Sequence, residues 1–209
     1  VFLAFFQYLC NILINLNFLN EMITEEIKKK NYFLYTEKLS KLGVNVEKLC
    51  SKYGEALMNG SFTNSNEFGN AYEGSLLEIV LKVLTPYAVR LNELLPEGQR
   101  VDKNSLVKVC LLHHIGKAIK LIKNDNDWEV SKRNLVYKYN NELPSIRTGL
   151  LSLSMLQECG IELSFDEVEA LTVNDRDLTD DQSRWYSSTM ATIVRQANEL
   201  TYITINKKK

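Results

Sequence analysis

The chain has 209 residues, 45% apolar and 24% charged, which suits one globular core of ordinary size plus an extension. A net charge of −1 excludes a protein drawn to nucleic acid or anionic membrane by bulk charge. The four cysteines, at 10, 50, 110 and 159, make no Cys-x-x-Cys pair, and a buried reduced thiol at Cys110 suits a cytoplasmic protein better than a secreted one.

Val1 to Asn20 is built almost entirely from Phe, Leu, Ile, Asn and Tyr. It is apolar enough to suggest a spanning helix of ~20 residues. It has no basic residue at its start and no small-residue cleavage site. Three readings stay open: a start assigned too early in AT-rich DNA, with Met22 the natural beginning, a membrane anchor, or a packed helix.

From Thr24 the pattern is helical. Thr24 caps an acidic first turn, and Tyr32, Tyr35, Leu39 and Leu42 form a stripe that Gly43 ends. Asn45 caps a second helix over Val46 to Met58. Ser61 to Asn70 reads as a loop, and Leu76 to Leu95 as a long amphipathic helix with a kink at Pro86. Leu106 to Ile122 is the most apolar part of the body, carries the only two histidines, and fits a helical stripe capped by Asp102 or Asn104. Asp125-Asn-Asp127 is a turn, and Trp128–Val130 with Leu135–Tyr139 have the aromatic and β-branched content of a small hairpin. Ser145 to Glu158 is helical, and Ser164 with Glu167 forms a capping box. The acidic run from Asn174 to Asp181 has neither the glycine turn nor the distal Glu of a calcium loop, and reads as a solvated loop. Trp185 to Tyr202 closes the chain, with Met190, Ile193, Val194, Ala197 and Leu200 facing inward. We find no internal repeat, phosphate-cradling Gly-rich loop or nucleophile elbow.

Leu111-Leu-His-His-Ile-Gly-Lys-Ala118 resembles the signature segment of the HD-domain superfamily of metal-dependent phosphohydrolases, which reads Leu-Leu-His-Asp-Ile-Gly-Lys-Ala. The segment Tyr72 to Leu81 is similar to another that often reads Gly-Gly-Leu-Leu-Glu-His-Ser-Leu. Trp128, Tyr137-Lys-Tyr-Asn140 and Leu143-Pro144 are similar to a short insert found in one branch. The resemblance spans about Asn70 to Tyr202. It implies a mainly α fold, an HD-domain-like helical bundle with a small β-hairpin insert near residues 128–140. The expected organisation is an apolar extension at 1–21, N-terminal helices at 22–69, the HD-like domain at 70–203 and a basic tail at 204–209.

HD enzymes hold one or two divalent metals with His and Asp from several helices, and here most matching positions differ. Ile79 stands where a ligand His is expected and His114 where the Asp of the pair belongs. Arg147 and Asn174 fall near further His positions, and Asn198 stands where the site usually ends in Asp. Only His113 matches. Ile donates no lone pair, Arg is a fixed cation, and Asn lacks the negative charge that a divalent ion needs. Histidines with no carboxylate between them neither anchor a metal well nor orient its water.

The expected remnant is a polar pocket of His113, His114, Arg147, Asn174 and Asn198, with no metal and no cofactor. Arg147 and the histidine pair would suit an anion there. Two functions compete. One is a non-catalytic HD-like protein with a binding or assembly role. Its similarity to small proteins of phages and AT-rich gut bacteria implies a phage accessory or virion-associated protein, partnered by a second copy or a phage structural protein. The other is a divergent phosphohydrolase acting on a nucleotide or phosphate ester, with a divalent metal on His113, Asp175 and Asp177. A packed helical domain with ordinary core histidines is the third reading.

Overall fold

A computed structural model describes residues 24–175 and 187–206. The apolar extension at 1–21, Asp177 and most of the acidic run, and the three terminal lysines lie outside the described residues. The fold is mainly α-helical with one small two-stranded antiparallel sheet. Among the described residues no helix is long and apolar enough to cross a membrane.

The N-terminal helices start where their caps dictate. In α1 (Glu25–Lys41) the Thr24 hydroxyl accepts the Ile27 amide, and the helix stops before Gly43, which adopts φ 78°. Asn45 Oδ1 accepts the Glu47 amide at the head of α2 (Glu47–Asn59). Tyr35, Leu39, Leu49 and Leu57 from these two helices join one core with Leu76, Leu84, Leu106, Val109 and Leu112. Each fully buried Leu contributes about 1.5–3 kcal/mol relative to an exposed one.

The long helix forms as α3 (Ser75–Ile79), a π-helical turn (Val80–Leu84) and α4 (Thr85–Leu94). The Thr85 amide reaches back to the Val80 carbonyl. This wide turn falls where Pro86, which lacks an N–H and crowds the carbonyl four residues back, would strain a regular α-helix. Asp102 then caps α5 (Lys103–Leu112), accepting the Ser105 amide at 2.7 Å.

The apolar segment Leu106 to Ile122 is not one helix. α5 ends at Leu112, residues 113–116 form a tight turn, α6 spans Lys117–Lys120, and Leu121–Lys123 is strand β1. Three-residue bonds such as Lys117 N–H to the His114 carbonyl, 2.9 Å, replace the α-helical ladder in the turn. The break lies where the chain presses on α8 (Thr148–Glu158): a Cβ on Gly116 would stand 2.7 Å from the Thr148 carbonyl oxygen.

The sheet's first strand also differs from expectation. β1 pairs with β2 (Tyr137–Tyr139), Leu121 opposite Tyr139 and Lys123 opposite Tyr137. Trp128–Val130 is instead part of helix α7 (Asp127–Arg133). The Asn126 side chain accepts the Trp128 and Glu129 amides, and acids in the first turn with bases in the last match the helix dipole. That local capping outweighs the strand preference of Trp and Val.

Helix α9 (Phe165–Thr172) begins with the Ser164–Glu167 capping box. A short 3₁₀ turn (Val173–Asp175) follows, and α10 (Thr189–Ile205) closes the fold. Met190, Ile193, Val194 and Ala197 on α10 are buried as their spacing predicts. Cys110 is a free buried thiol, pushed up to about 12 by burial, which makes it inert.

Candidate functional site

The tight turn after α5 places both histidines inside the protein, with His113 2% exposed and His114 5%. Their rings lie 4.4 Å apart, centroid to centroid. Each Nε2 meets an asparagine: His113 pairs with Asn174 Nδ2 at 2.6 Å, and His114 with Asn198 Oδ1 at 2.8 Å. The second pair has the histidine Nε2–H donating to the amide oxygen. Neither Nδ1 has a hydrogen-bond partner among the described residues.

Four of the expected residues, His113, His114, Asn174 and Asn198, therefore do come together. Arg147 does not fill their volume. It is exposed at the N-cap of α8. Asp175 is also turned to other work: its Oδ2 accepts the Leu150 amide at 2.7 Å, capping α8 from 25 residues downstream. Ile79, which replaces a ligand His of the HD family in the sequence comparison, is fully buried in the apolar core.

A residue that the sequence reading passed over completes the cluster. Lys117 is 8% exposed, and its Nζ donates to the Phe62 carbonyl at 2.8 Å and to the Tyr202 hydroxyl at 2.7 Å. It also sits 3.7 Å over the Phe62 ring, a cation–π contact, and Phe62 in turn meets the His114 ring edge to face at 4.9 Å. Lys117 follows the histidines in the signature segment, but spacing alone does not reveal that its ammonium is buried.

These surroundings hold the imidazoles neutral. Burial pushes His113 down to about 4; the Leu171 backbone carbonyl opposes that shift and the Lys117 charge adds to it. Burial, then Lys117, then His113 carry His114 well below the usual histidine range, and its bond to Asn198 opposes them only in part.

The donor set does not fit a divalent metal. Two neutral imidazoles with their Nε2 atoms engaged by amides, and a lysine cation alongside, give a centre with positive rather than negative charge. Among the described residues there is no group of three or more His, Cys, Asp or Glu placed to hold a metal. Comparison of the chain with family models, with curated proteins and with solved structures finds no match.

Proposed function

We propose that this chain is a degenerate HD-domain-like protein that does no hydrolysis and has a binding or assembly role. The observation that carries the reading is the pairing of His113 with Asn174 and of His114 with Asn198, beside the buried Lys117. In a hydrolytic centre the partners of the histidines are a metal and carboxylates, which activate water. Here amides occupy the partner positions and a cation adds positive charge. The four polar residues then serve as a satisfied polar knot between α5, the 3₁₀ turn after α9, and α10.

Metal content and turnover test this directly. The full chain, purified without chelator, is assayed by elemental analysis, by thermal shift across Mn, Fe, Co, Ni, Zn and Mg, and against a panel of nucleotides and phosphate esters. The expected result is no stoichiometric metal, no metal-dependent stabilisation and no turnover. Metal at one equivalent that disappears in His113→Ala, together with phosphate release, would establish the divergent phosphohydrolase instead.

A further inference from the structure

Two surface clefts lie beside the polar knot and meet at Lys120 and Tyr139, which line both. The smaller, about 210 Å³, is also lined by Phe62, Asn64, Lys117, Thr148 and Tyr202. The larger, about 380 Å³, runs along the segment after β2 to Leu143, Pro144, Ile146 and Leu151. Its volume alone falls within the range of about 300–1,000 Å³ usual for small-molecule sites.

The charge balance of this region is one-sided. Neither cleft has an Asp or Glu among its lining residues, yet two lysines line them. Lys120 Nζ donates to the Ile146 carbonyl at 2.6 Å and lies 5.8 Å from the centre of the Tyr139 ring. Lys117 has only a carbonyl, a hydroxyl and aromatic faces. Neither has a carboxylate partner among the described residues. Dipoles and ring faces compensate a desolvated ammonium incompletely, and each lysine has three donors to place. The side chains of Asn64 and Thr148 add hydrogen-bonding groups that bond to no other described residue. Thr148 also opens α8, so the positive end of an 11-residue helix dipole borders the cleft.

The rest of the surface has the opposite character. Tyr139 is 59% exposed, while Leu143, Ile146 and Leu151 offer apolar side chains. A polar, cationic recess joined to an aromatic and aliphatic trough matches a ligand with one anionic end and one planar end.

We propose that the joined clefts bind a small ring-bearing anion. Its phosphate or carboxylate group is held by Lys117, Lys120, Asn64 and Thr148, and its ring lies along Tyr139 towards Leu143 and Ile146. The site lies outside the histidine cluster, and the proposal holds whether or not the histidines take a metal.

The test is titration calorimetry and ligand-observed NMR on the full chain with three probes at matched ionic strength: phenyl phosphate, benzoate and inorganic phosphate. Saturable binding of phenyl phosphate or benzoate, tighter than inorganic phosphate, is expected. The tighter of the two names the anionic group. Lys120→Ala should weaken both ring-bearing probes tenfold or more. Tyr139→Ala, at an exposed position, should weaken them severalfold and leave inorganic phosphate unchanged. No saturable binding of any probe to the wild-type chain overturns the proposal, as does undiminished binding in both variants.

Discussion

The Ser152 hydroxyl accepts the Gly116 amide at 2.9 Å, joining α8 to the turn that carries both histidines. The same oxygen lies 3.1 Å from the His113 carbonyl and 3.0 Å from that of Thr148, either of which takes its proton. Ser152 is fully buried, so the Gly116 N–H has no water to turn to. Ser152→Ala therefore leaves a buried donor unsatisfied and should cost about 1–3 kcal/mol in a urea unfolding curve. An unchanged midpoint would show that the turn holds itself without α8.

Asp175 caps α8 across space, since Arg147 at the N-cap makes no side-chain capping bond. Asp175→Ala should cost about 1 kcal/mol, in line with the loss of other N-terminal caps. Its neighbour Asn174 holds His113, so the histidine's NMR resonances should shift as well. Stability loss without any change at His113 would separate the cap from the polar knot.

Acid should destabilise the fold through the histidines before the carboxylates titrate. Both imidazoles are neutral when folded, His113 with its pKa pushed down to about 4 and His114 well below 6.5. Below about pH 6.5 the unfolded chain binds protons there that the folded chain refuses, so stability falls as pH falls. For His113 the decline ends near pH 4, where the folded state protonates too, and amounts to about 3 kcal/mol. Urea midpoints measured every half unit from pH 7 to 4 check this. A flat profile between pH 6.5 and 5 would mean that the rings are solvated.

Glu167 gives a second acid-sensitive contact, at lower pH. Burial raises its carboxyl, but the Lys108 ion pair at 2.8 Å and the Ser105 hydroxyl at 2.6 Å outweigh burial and hold it below the usual range. Stability from this group is present above the ordinary carboxylate pKa and is lost as pH falls through the lowered folded value. Glu167→Gln should cost about 1.5–3 kcal/mol at neutral pH. The gap from wild type should close in strong acid, when both side chains are uncharged, and a constant gap would argue against the ion pair.

Caps and spacing made much of the helical framework legible in the sequence. Thr24, Asn45, Asp102 and Ser164 each accept the amides that their positions imply. Gathering His113, His114, Asn174 and Asn198 was legible only through the resemblance to HD proteins, because 85 residues separate the first from the last. What escaped depends on long-range packing. The apolar periodicity from Leu106 to Ile122 gives no sign that Ser152 captures the Gly116 amide and breaks the helix. Trp128 and Val130 suggest a strand until Asn126 is recognised as a cap. Lys117 resembles any surface lysine until Phe62 and Tyr202 fold over it.

The π-helical turn at Val80–Leu84 makes the chain unusually sensitive to a change in length there. Such a turn accommodates one residue beyond the ordinary helical pitch, so it has the form of a tolerated insertion. Deleting a single residue, such as Lys82, would let the segment relax into plain α-helix and rotate everything downstream by about 100°. Thr85, Ala88 and Asn92, now buried, would swing away from the core, and Asn92 would lose both of its bonds to the Val101 backbone. A deletion scan along this helix should therefore find its least tolerant stretch next to Pro86, where a proline would otherwise suggest a permissive joint.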